Sequence, residues 1–78
     1  MYYVYILKLS NNTYYTGVTD NLARRVKYHN KGNVPYTRKF RPVELEGYIA
    51  FKSKTKALEF ERYLKSGSGV AFRNKRLI

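Results

Sequence analysis

Residues 2–18 read YYVYILKLSNNTYYTGV, and this stretch decides the fold. β-Branched and aromatic side chains fill residues 2–9, which predicts a strand. Residues 10–13 form a turn cluster in which asparagine tolerates left-handed backbone, and residues 14–18 predict a second strand that completes a hairpin. Gly17 interrupts that strand, which indicates a bulge or a close approach of another group to its backbone.

A first helix is predicted directly after the hairpin. Thr19 or Asp20 can cap this helix, which runs to about Lys31. Gly32 is placed to end it in the left-handed conformation. Residues 33–42 contain two prolines and a cluster of basic side chains, and we expect them to form a loop.

The remainder of the chain adds one strand and two helices. Residues 43–51 alternate apolar and polar side chains, so we expect a third strand with one buried face. A second helix, capped by Ser53 or Thr55, is expected to end where residues 66–69 (SGSG) form a short linker. A last short helix or tail covers residues 70–76. The predicted class is α+β, with the whole chain as one domain and a small three-stranded antiparallel sheet flanked by helices, in the order β-β-α-β-α-α.

The charge balance narrows the classes of partner. Sixteen Lys and Arg oppose five Asp and Glu, for a net charge of +11 on 78 residues. Such an excess on a small domain is typical of a protein that binds a polyanion, so nucleic acid is the first candidate partner. An anionic membrane is the second, but no basic amphipathic helix with a clean apolar face is evident. The chain has no cysteine, no apolar run of membrane length and no signal-peptide pattern, so we expect a cytoplasmic protein, whose oligomeric state is left open.

A helical wheel places two basic side chains beside the apolar stripe of the first helix. With about 100° per residue, Arg25 and His29 fall one turn apart on the same side as Leu22. Arg24 falls on the opposite, solvated side. Each of the two has an ordinary explanation, because a histidine can satisfy a backbone group and an arginine can extend over a sheet surface. Their presence together on one inner edge favours a functional site.

Glu61 is the one acid that the wheel places within an apolar face. In the second helix it falls on the same side as Ala57 and Leu64, whereas Glu59 falls on the solvated side. A carboxylate on a buried face must be paired, hydrogen-bonded or bound to a metal. The ordinary explanation is an ion pair with Lys65, four residues further on. In a chain with so few acids, Glu61 is also a candidate metal ligand.

Together these residues resemble the GIY-YIG nuclease family. Residues 4–6 (VYI) and 15–17 (YTG) are similar to its two name-giving segments, although the first segment lacks its glycine. Arg25 follows the second segment by eight residues, as the family's catalytic arginine does, and His29 stands where members carry a histidine or a tyrosine. Residues 57–65 resemble the segment with the metal-binding glutamate. The resemblance covers most of the chain and is closest to the small, stand-alone bacterial members.

The resemblance implies hydrolysis of phosphodiester bonds in DNA, with RNA open as a substrate, and suggests a role in DNA repair. It implies one Mg²⁺ or Mn²⁺ ion held by Glu61 and waters, a set of ligands that magnesium commonly accepts. Tyr5 would be the general base, Tyr15 would position the water or a phosphate oxygen, and Arg25 would clamp the scissile phosphate. His29 would orient Tyr5 or share the base role.

The base role of Tyr5 depends on its pKa. A tyrosine's ordinary pKa is about 10, so action at neutral pH requires that this pKa be lowered. Arg25, Lys8 and a protonated His29 are the candidate cations for lowering it. Val18 stands where some relatives carry a lysine.

A further set of side chains is predicted to hold the nucleic-acid backbone, with an affinity that falls steeply as salt rises. The set consists of Tyr36, Thr37, Arg38, Lys39, Lys65, Arg73 and Arg76. The alternative function is a non-catalytic module that binds DNA or RNA, since basic charge and surface tyrosines fit it equally well. Glu61 favours the nuclease, because a binding module gains nothing from a carboxylate aimed at a phosphate. We expect selection by nucleic-acid structure rather than by sequence.

The register of the hairpin decides whether both tyrosines reach one phosphate. A plain two-residue turn at residues 11–12 would pair Lys8 with Tyr15 and put Tyr5 on the opposite face. The family mechanism requires both tyrosines on one face. We therefore predict that the turn takes an odd number of residues, so that Leu7 faces Tyr15, or that a bulge re-aims the second strand.

Overall fold

The sheet and four helices account for most of the chain, and the computed structural model describes all 78 residues. In chain order the elements are β1 (Tyr2–Lys8), β2 (Tyr14–Thr19), α1 (Leu22–Asn30), α2 (Pro35–Arg38), β3 (Glu44–Phe51), α3 (Lys54–Leu64) and α4 (Gly67–Arg76). Both strand pairs are antiparallel, and the sheet order is β2-β1-β3. The α+β class and the predicted order are confirmed, with the short α2 added inside the predicted loop. None of the helices has the length and apolar character needed to cross a membrane.

The central strand β1 is covered on both faces. On one face Val4 and Ile6 pack with Ala57 and Leu64 of α3. On the other face a second cluster forms around Tyr5, Leu7, Leu9 and Val43, with Leu22 and Val26 of α1 packed against it. Residues 4–7 are therefore all buried. Each apolar side chain buried in this way stabilises the fold by about 1.5–3 kcal/mol, so β1 anchors both helical layers.

A three-residue turn joins β1 to β2. The Asn12 N–H donates to the Leu9 carbonyl oxygen at 3.0 Å, and the Leu9 N–H donates to the Thr13 carbonyl oxygen at 2.8 Å. Asn12 is left-handed, with φ of 65°. This is the hairpin in which a type I turn is followed by one left-handed residue, and asparagine tolerates that position.

This turn confirms the predicted odd-numbered loop. Its register pairs Leu7 with Tyr15 and Tyr5 with Gly17. Since side chains alternate along a strand, Tyr5 and Tyr15 project from the same face of the sheet. That face is the one covered by α1.

The third strand departs from the predicted continuous alternation. A bulge lies in β3, because Ile6 pairs with Gly47 while Leu7 pairs with Leu45, and Glu46 is the extra residue. An extra residue reverses the alternation beyond it. Gly47 and the later apolar positions are half-buried as expected, but Leu45 is exposed, so the prediction for Leu45 is wrong.

The helix boundaries correct two further predictions. Asn21 caps α1, with its side-chain oxygen accepting from the Arg24 N–H at 3.0 Å, so neither Thr19 nor Asp20 is the cap. The predicted linker 66–69 begins α4 instead, because the Ser66 hydroxyl accepts from the Gly69 N–H at 3.2 Å and caps that helix.

Two other predictions for helix ends are confirmed. Ser53 caps α3 by accepting from the Lys56 N–H at 3.2 Å. Gly32 is left-handed, with φ of 81°, at the end of α1. Its N–H donates to the His29 carbonyl oxygen at 3.0 Å, which closes the helix just after the histidine that the site uses.

Replacing Gly17 by alanine should destabilise the protein, because the Tyr5 ring crosses directly over Gly17. A Cβ at this position would lie 2.5 Å from Tyr5 Cζ. Crowding of this kind costs about 1–3 kcal/mol. We expect Gly17→Ala to lower the free energy of unfolding by that amount in urea denaturation.

Gly67→Ala is the matched control, since a Cβ there meets no atom within 4 Å. It should leave the free energy of unfolding within about 1 kcal/mol of wild type, on the stabilising side. Equal stability of the two variants would show that Tyr5 does not lie over Gly17.

Candidate active site

The hydroxyl of Tyr5 is the centre of a buried polar network. Arg25 Nε donates to it at 3.1 Å, and His29 Nε2 lies 2.9 Å from it. Tyr5 and His29 are both 0% exposed. The wheel prediction for α1 is confirmed, because Arg25 is half-buried while Arg24 points into solvent.

His29 is held from its other side by a residue of α2. Its Nδ1 lies 2.8 Å from the Thr37 hydroxyl, and Thr37 is also 0% exposed. The prediction that the Thr37 side chain holds a nucleic-acid backbone is therefore wrong, since that side chain is buried and bonded to the histidine. Nothing in the sequence marked Thr37 as a support for His29, because an isolated threonine in a loop carries no periodic signal.

The hydrogen bonds favour one form of the neutral imidazole. If Nδ1 carries the hydrogen, it donates to Thr37, and Tyr5 donates to Nε2 while accepting from Arg25. If Nε2 carries it, two N–H groups converge on the Tyr5 oxygen and the phenol hydrogen, confined to the ring plane, has no acceptor. A threonine hydroxyl hydrogen rotates freely to suit its neighbours, so it tolerates either arrangement. We assign the hydrogen to Nδ1 on this argument.

Burial sets the protonation states of the network. Burial raises the pKa of Tyr5 above 10.0, although Arg25 opposes this through its hydrogen bond and charge. Burial, and then the charge of Arg25, lowers the pKa of His29 to about 4. The predicted lowering of the Tyr5 pKa is therefore wrong for the free protein. His29 is neutral at pH 7, and Lys8 projects from the other face of β1.

Tyr15 lies beside this network on the same face of the sheet. Its ring and the His29 ring meet edge to face, with centroids 5.2 Å apart. It also stacks on Tyr36, with centroids 5.9 Å apart and planes at 28°. Electrostatic interaction with Tyr15 is one of the smaller causes of the raised pKa of Tyr5.

Glu61 approaches from the opposite face of the sheet. Helix α3 packs against the Val4 and Ile6 side of β1 and also contacts β2. The Glu61 side chain is 23% exposed, and its Oε2 accepts from Lys65 Nζ at 3.1 Å. The ion pair considered as the ordinary explanation is thus present. The negative charge of Glu61 also contributes, as the smallest of several causes, to the raised pKa of Tyr5.

Two cavities lie along β2, each lined in part by residues of that strand, and together they are here called the edge groove. At one end is a cavity of about 280 Å³, lined by Tyr2, Val18, Thr19, Asp20, Arg25 and Lys54. At the other end is a cavity of about 260 Å³, lined by Tyr14, Tyr15, Thr16, Tyr36, Leu64, Lys65, Val70 and Arg73. Lys54, Glu61 and Lys65 share one face of α3 at about 100° per residue, so Glu61 lies between two cationic ends.

The remaining predicted nucleic-acid contacts divide into two groups. Tyr36, Lys65 and Arg73 line the edge groove. Arg38, Lys39 and Arg76 are exposed and line none of the cavities. The groove, rather than the whole basic surface, is the candidate site.

The donor set fits a single hard cation. The chain gathers no group of three or more His, Cys, Asp or Glu side chains that could hold a metal. Glu61 Oε2 accepts from Lys65 Nζ, and the other carboxylate oxygen makes no hydrogen bond within the protein. Magnesium is commonly held by one or two carboxylates together with waters and a substrate phosphate, and Glu61 meets that requirement.

Thr37→Val should disturb the histidine without removing any of its ring contacts. Valine keeps the shape of threonine but leaves the Nδ1 hydrogen without an acceptor, which costs about 1–3 kcal/mol in a buried site. We expect the hydrogen to shift from Nδ1 towards Nε2. The imidazole ¹⁵N signals report this directly, because His29 is the only histidine in the chain. Thr37→Ser should keep the wild-type pattern, and identical spectra for all three proteins would refute the assigned support.

The stability of the protein should fall in mild acid. The pKa of His29 drops from 6.5 to about 4 on folding, so the unfolded chain binds the proton more tightly. The free energy of unfolding is then highest above pH 6.5 and falls as the pH drops to about 4, by on the order of 3 kcal/mol. An NMR titration of His29 measures this pKa directly.

Arg25→Gln tests the cause of the His29 shift. Removing the charge of Arg25 should raise the His29 pKa towards 6.5, although burial keeps it below that value. Arg24→Gln is the control, since the Arg24 side chain is 74% exposed and pairs with Asp20. An unchanged His29 pKa in Arg25→Gln would contradict the contact.

The sequence and structure match known proteins at the level of family. The GIY-YIG catalytic domain matches residues 1–74. Among similar proteins, a UPF0213 protein of Clostridium perfringens is 46% identical over 66 residues, covering 83% of this chain and 71% of its own. One from Halobacterium salinarum is 42% identical over 66 residues, covering 83% and 86%. The solution NMR structure of the UPF0213 protein BH0048 from Bacillus halodurans superposes with a TM-score of 0.61 at 34% identity, over 99% of this chain and 87% of that one. Tyr5, Tyr15, Arg25 and Glu61 all lie within the matched residues, and the chain belongs to the GIY-YIG family.

Proposed function

We propose that this protein is a metal-dependent endonuclease that hydrolyses phosphodiester bonds in DNA and selects its substrate by structure. One observation carries the proposal. The Tyr5 hydroxyl is held between Arg25 and His29, and Glu61, the one half-buried acid of the chain, lies on α3 between Lys54 and Lys65. A base, a phosphate clamp and a metal ligand are the groups that this hydrolysis needs.

Glu61 is the reason to prefer catalysis over binding alone. The other four acids of the chain are exposed, and only Glu61 is half-buried. On α3 it lies between Lys54 and Lys65, which line the two cavities of the edge groove. A carboxylate at that position repels the phosphates that the two lysines attract. A group that weakens phosphate binding between two cations is explained by a chemical role.

Arg25 is positioned to bind the scissile phosphate. Its Nε is occupied by Tyr5, while its two terminal nitrogens make no hydrogen bond within the protein. Their N–H groups form a planar fork, and such a fork matches two oxygens of a phosphate. The guanidinium also lies over the Tyr28 ring, with its carbon 5.1 Å from the centroid, which restricts its movement. Tyr15 lies beside it to orient the phosphate or the attacking water.

Tyr5 and His29 would move the proton of the water together. As the Tyr5 oxygen takes a proton from the water, its own proton passes to His29 Nε2, which lies 2.9 Å away. This relay never requires a free phenolate, so the raised pKa of Tyr5 does not prevent it. An anionic phosphate in the groove favours the charged imidazolium and raises the pKa of His29 from its low value in the free protein.

Thr37 and Glu61 complete the arrangement. Thr37 accepts from Nδ1 and so keeps Nε2 free to receive the proton from Tyr5. Glu61 would hold a single Mg²⁺ or Mn²⁺ ion together with waters, and the ion would neutralise charge that develops on the phosphate and leaving oxygen. The groove offers cations, which contact phosphates, and aromatic rings, which stack on any base. Neither kind of contact reads the edges of a base, and this supports selection by structure rather than by sequence.

Cleavage should depend on Glu61 and not on its neighbour Glu59. We expect wild-type protein in Mg²⁺ to cut at least one labelled substrate among flap, splayed-arm, duplex and single-stranded DNAs. Glu61→Gln should lower the rate by at least about two orders of magnitude, the scale of losing one charge-stabilising group. Binding should be equal or tighter, because a negative charge leaves a basic groove.

Glu59→Gln is the matched control, since Glu59 is exposed on the same helix, and it should cut at the wild-type rate. Full activity of Glu61→Gln would remove the metal-ligand role. Tight binding by the wild type with no cleavage of any DNA would favour the non-catalytic module, and cleavage of an RNA panel alone would change the substrate.

A further inference from the structure

We propose that the 260 Å³ end of the edge groove holds one unpaired base of single-stranded DNA, stacked on Tyr36. This inference rests on the proposed nuclease function and names its substrate class, a strand with at least one unpaired nucleotide beside the cleaved bond. Three features support it: the exposed ring of Tyr36, the cations Lys65 and Arg73 of the cavity, and Tyr15, which contacts both Tyr36 and His29.

Tyr36 presents a rigid and accessible ring surface. The residue is 59% exposed although its ring is stacked on Tyr15. Phe40 supports it, with ring centroids 6.0 Å apart. Tyr36 follows Pro35 at the start of α2, and the next residue, Thr37, is tied to His29. The ring is therefore fixed before any ligand arrives, which lowers the entropy lost on binding.

The walls of this cavity have the chemistry of a nucleotide site. Val70 adds apolar surface to the tyrosine rings, and Lys65 and Arg73 add two cations. No carboxylate is among the lining residues. Flat apolar surface takes a base through stacking, and the cations take its phosphate. Lys65 is shared with Glu61, but Arg73 pairs with no carboxylate of the protein, so a neutral apolar ligand would leave the Arg73 charge without an anion.

Tyr15 connects this cavity to the catalytic network. Its ring contacts the His29 ring edge to face, with centroids 5.2 Å apart, and also stacks on Tyr36. The stacked base would then belong to a nucleotide adjoining the phosphate held by Arg25. A base paired within a duplex cannot offer its face to Tyr36 without unstacking, whereas an unpaired base does so at little cost. The cavity thus favours single-stranded or branched DNA.

The proposal is tested by binding in EDTA, where no metal-dependent cleavage occurs. The probes are a fluorescent single-stranded oligonucleotide and the same strand made of abasic sites, which keeps the phosphates and removes the bases. Tyr36→Ala should weaken binding of the base-containing strand by roughly 5- to 150-fold, the range measured when a stacking ring is lost. It should leave the abasic strand within about twofold of wild type, and the salt dependence of binding unchanged. Tyr36→Phe should behave as wild type.

Tyr48→Ala is the matched control, because Tyr48 is 54% exposed and does not line the cavity. It should bind both probes as wild type does. Equal weakening of both probes by Tyr36→Ala, or no weakening, would overturn the stacking site. A duplex that is equally sensitive to Tyr36→Ala would overturn the unpaired base, and preferential binding of the RNA strand would overturn DNA. Since no metal is present, these outcomes are separate from those of the cleavage assay.

Discussion

The Tyr5 side chain leaves β1, crosses the bare backbone of Gly17 on β2, and ends between Arg25 and His29. Everything else in the site depends on that crossing. A side chain at position 17 would collide with the phenol, and a one-residue change of hairpin register would turn Tyr5 to the other face of the sheet. The glycine and the three-residue turn are therefore both required to position the Tyr5 side chain. They place a polar hydroxyl in a buried location where α1 can bind it.

Burying the Tyr5 hydroxyl costs free energy, and hydrogen bonds to every buried polar group of the network offset that cost. Tyr5, His29 and Thr37 are each 0% exposed, and no buried side-chain nitrogen or oxygen in the protein is without a hydrogen-bond partner. Burial also sets the proton affinities, raising the pKa of Tyr5 and lowering that of His29 to about 4. Both side chains are thus neutral at pH 7. The charge at the centre of the site belongs to Arg25 alone, whose pKa is raised by its hydrogen bond to Tyr5.

The sheet edge explains how groups from opposite layers meet. Arg25 and Tyr36 belong to the layer of α1 and α2, while Glu61, Lys65 and Arg73 belong to the layer of α3 and α4. A central strand would separate the two layers completely. The edge strand β2 has one free side, and both layers reach the groove along it. Cations line both ends, and Glu61 lies on α3 between Lys54 and Lys65, a charge pattern that suits a phosphate chain with one phosphate bound beside a metal ion.

Local sequence determined most of the elements and the orientation of their side chains. Periodicity of 3.6 residues separates Arg25 and His29 from Arg24, and Glu61 from Glu59, because helix geometry is the same in every context. The odd-numbered hairpin turn followed from the requirement that Tyr5 and Tyr15 share a face. Only the tertiary structure decided the partners and the proton affinities. Thr37 of α2 reaches back to His29 of α1. Glu46 forms a bulge because β3 pairs with β1, which is distant in the chain. The pKa of Tyr5 was misjudged for the same reason, since the sequence displays nearby cations but not the desolvation that outweighs them.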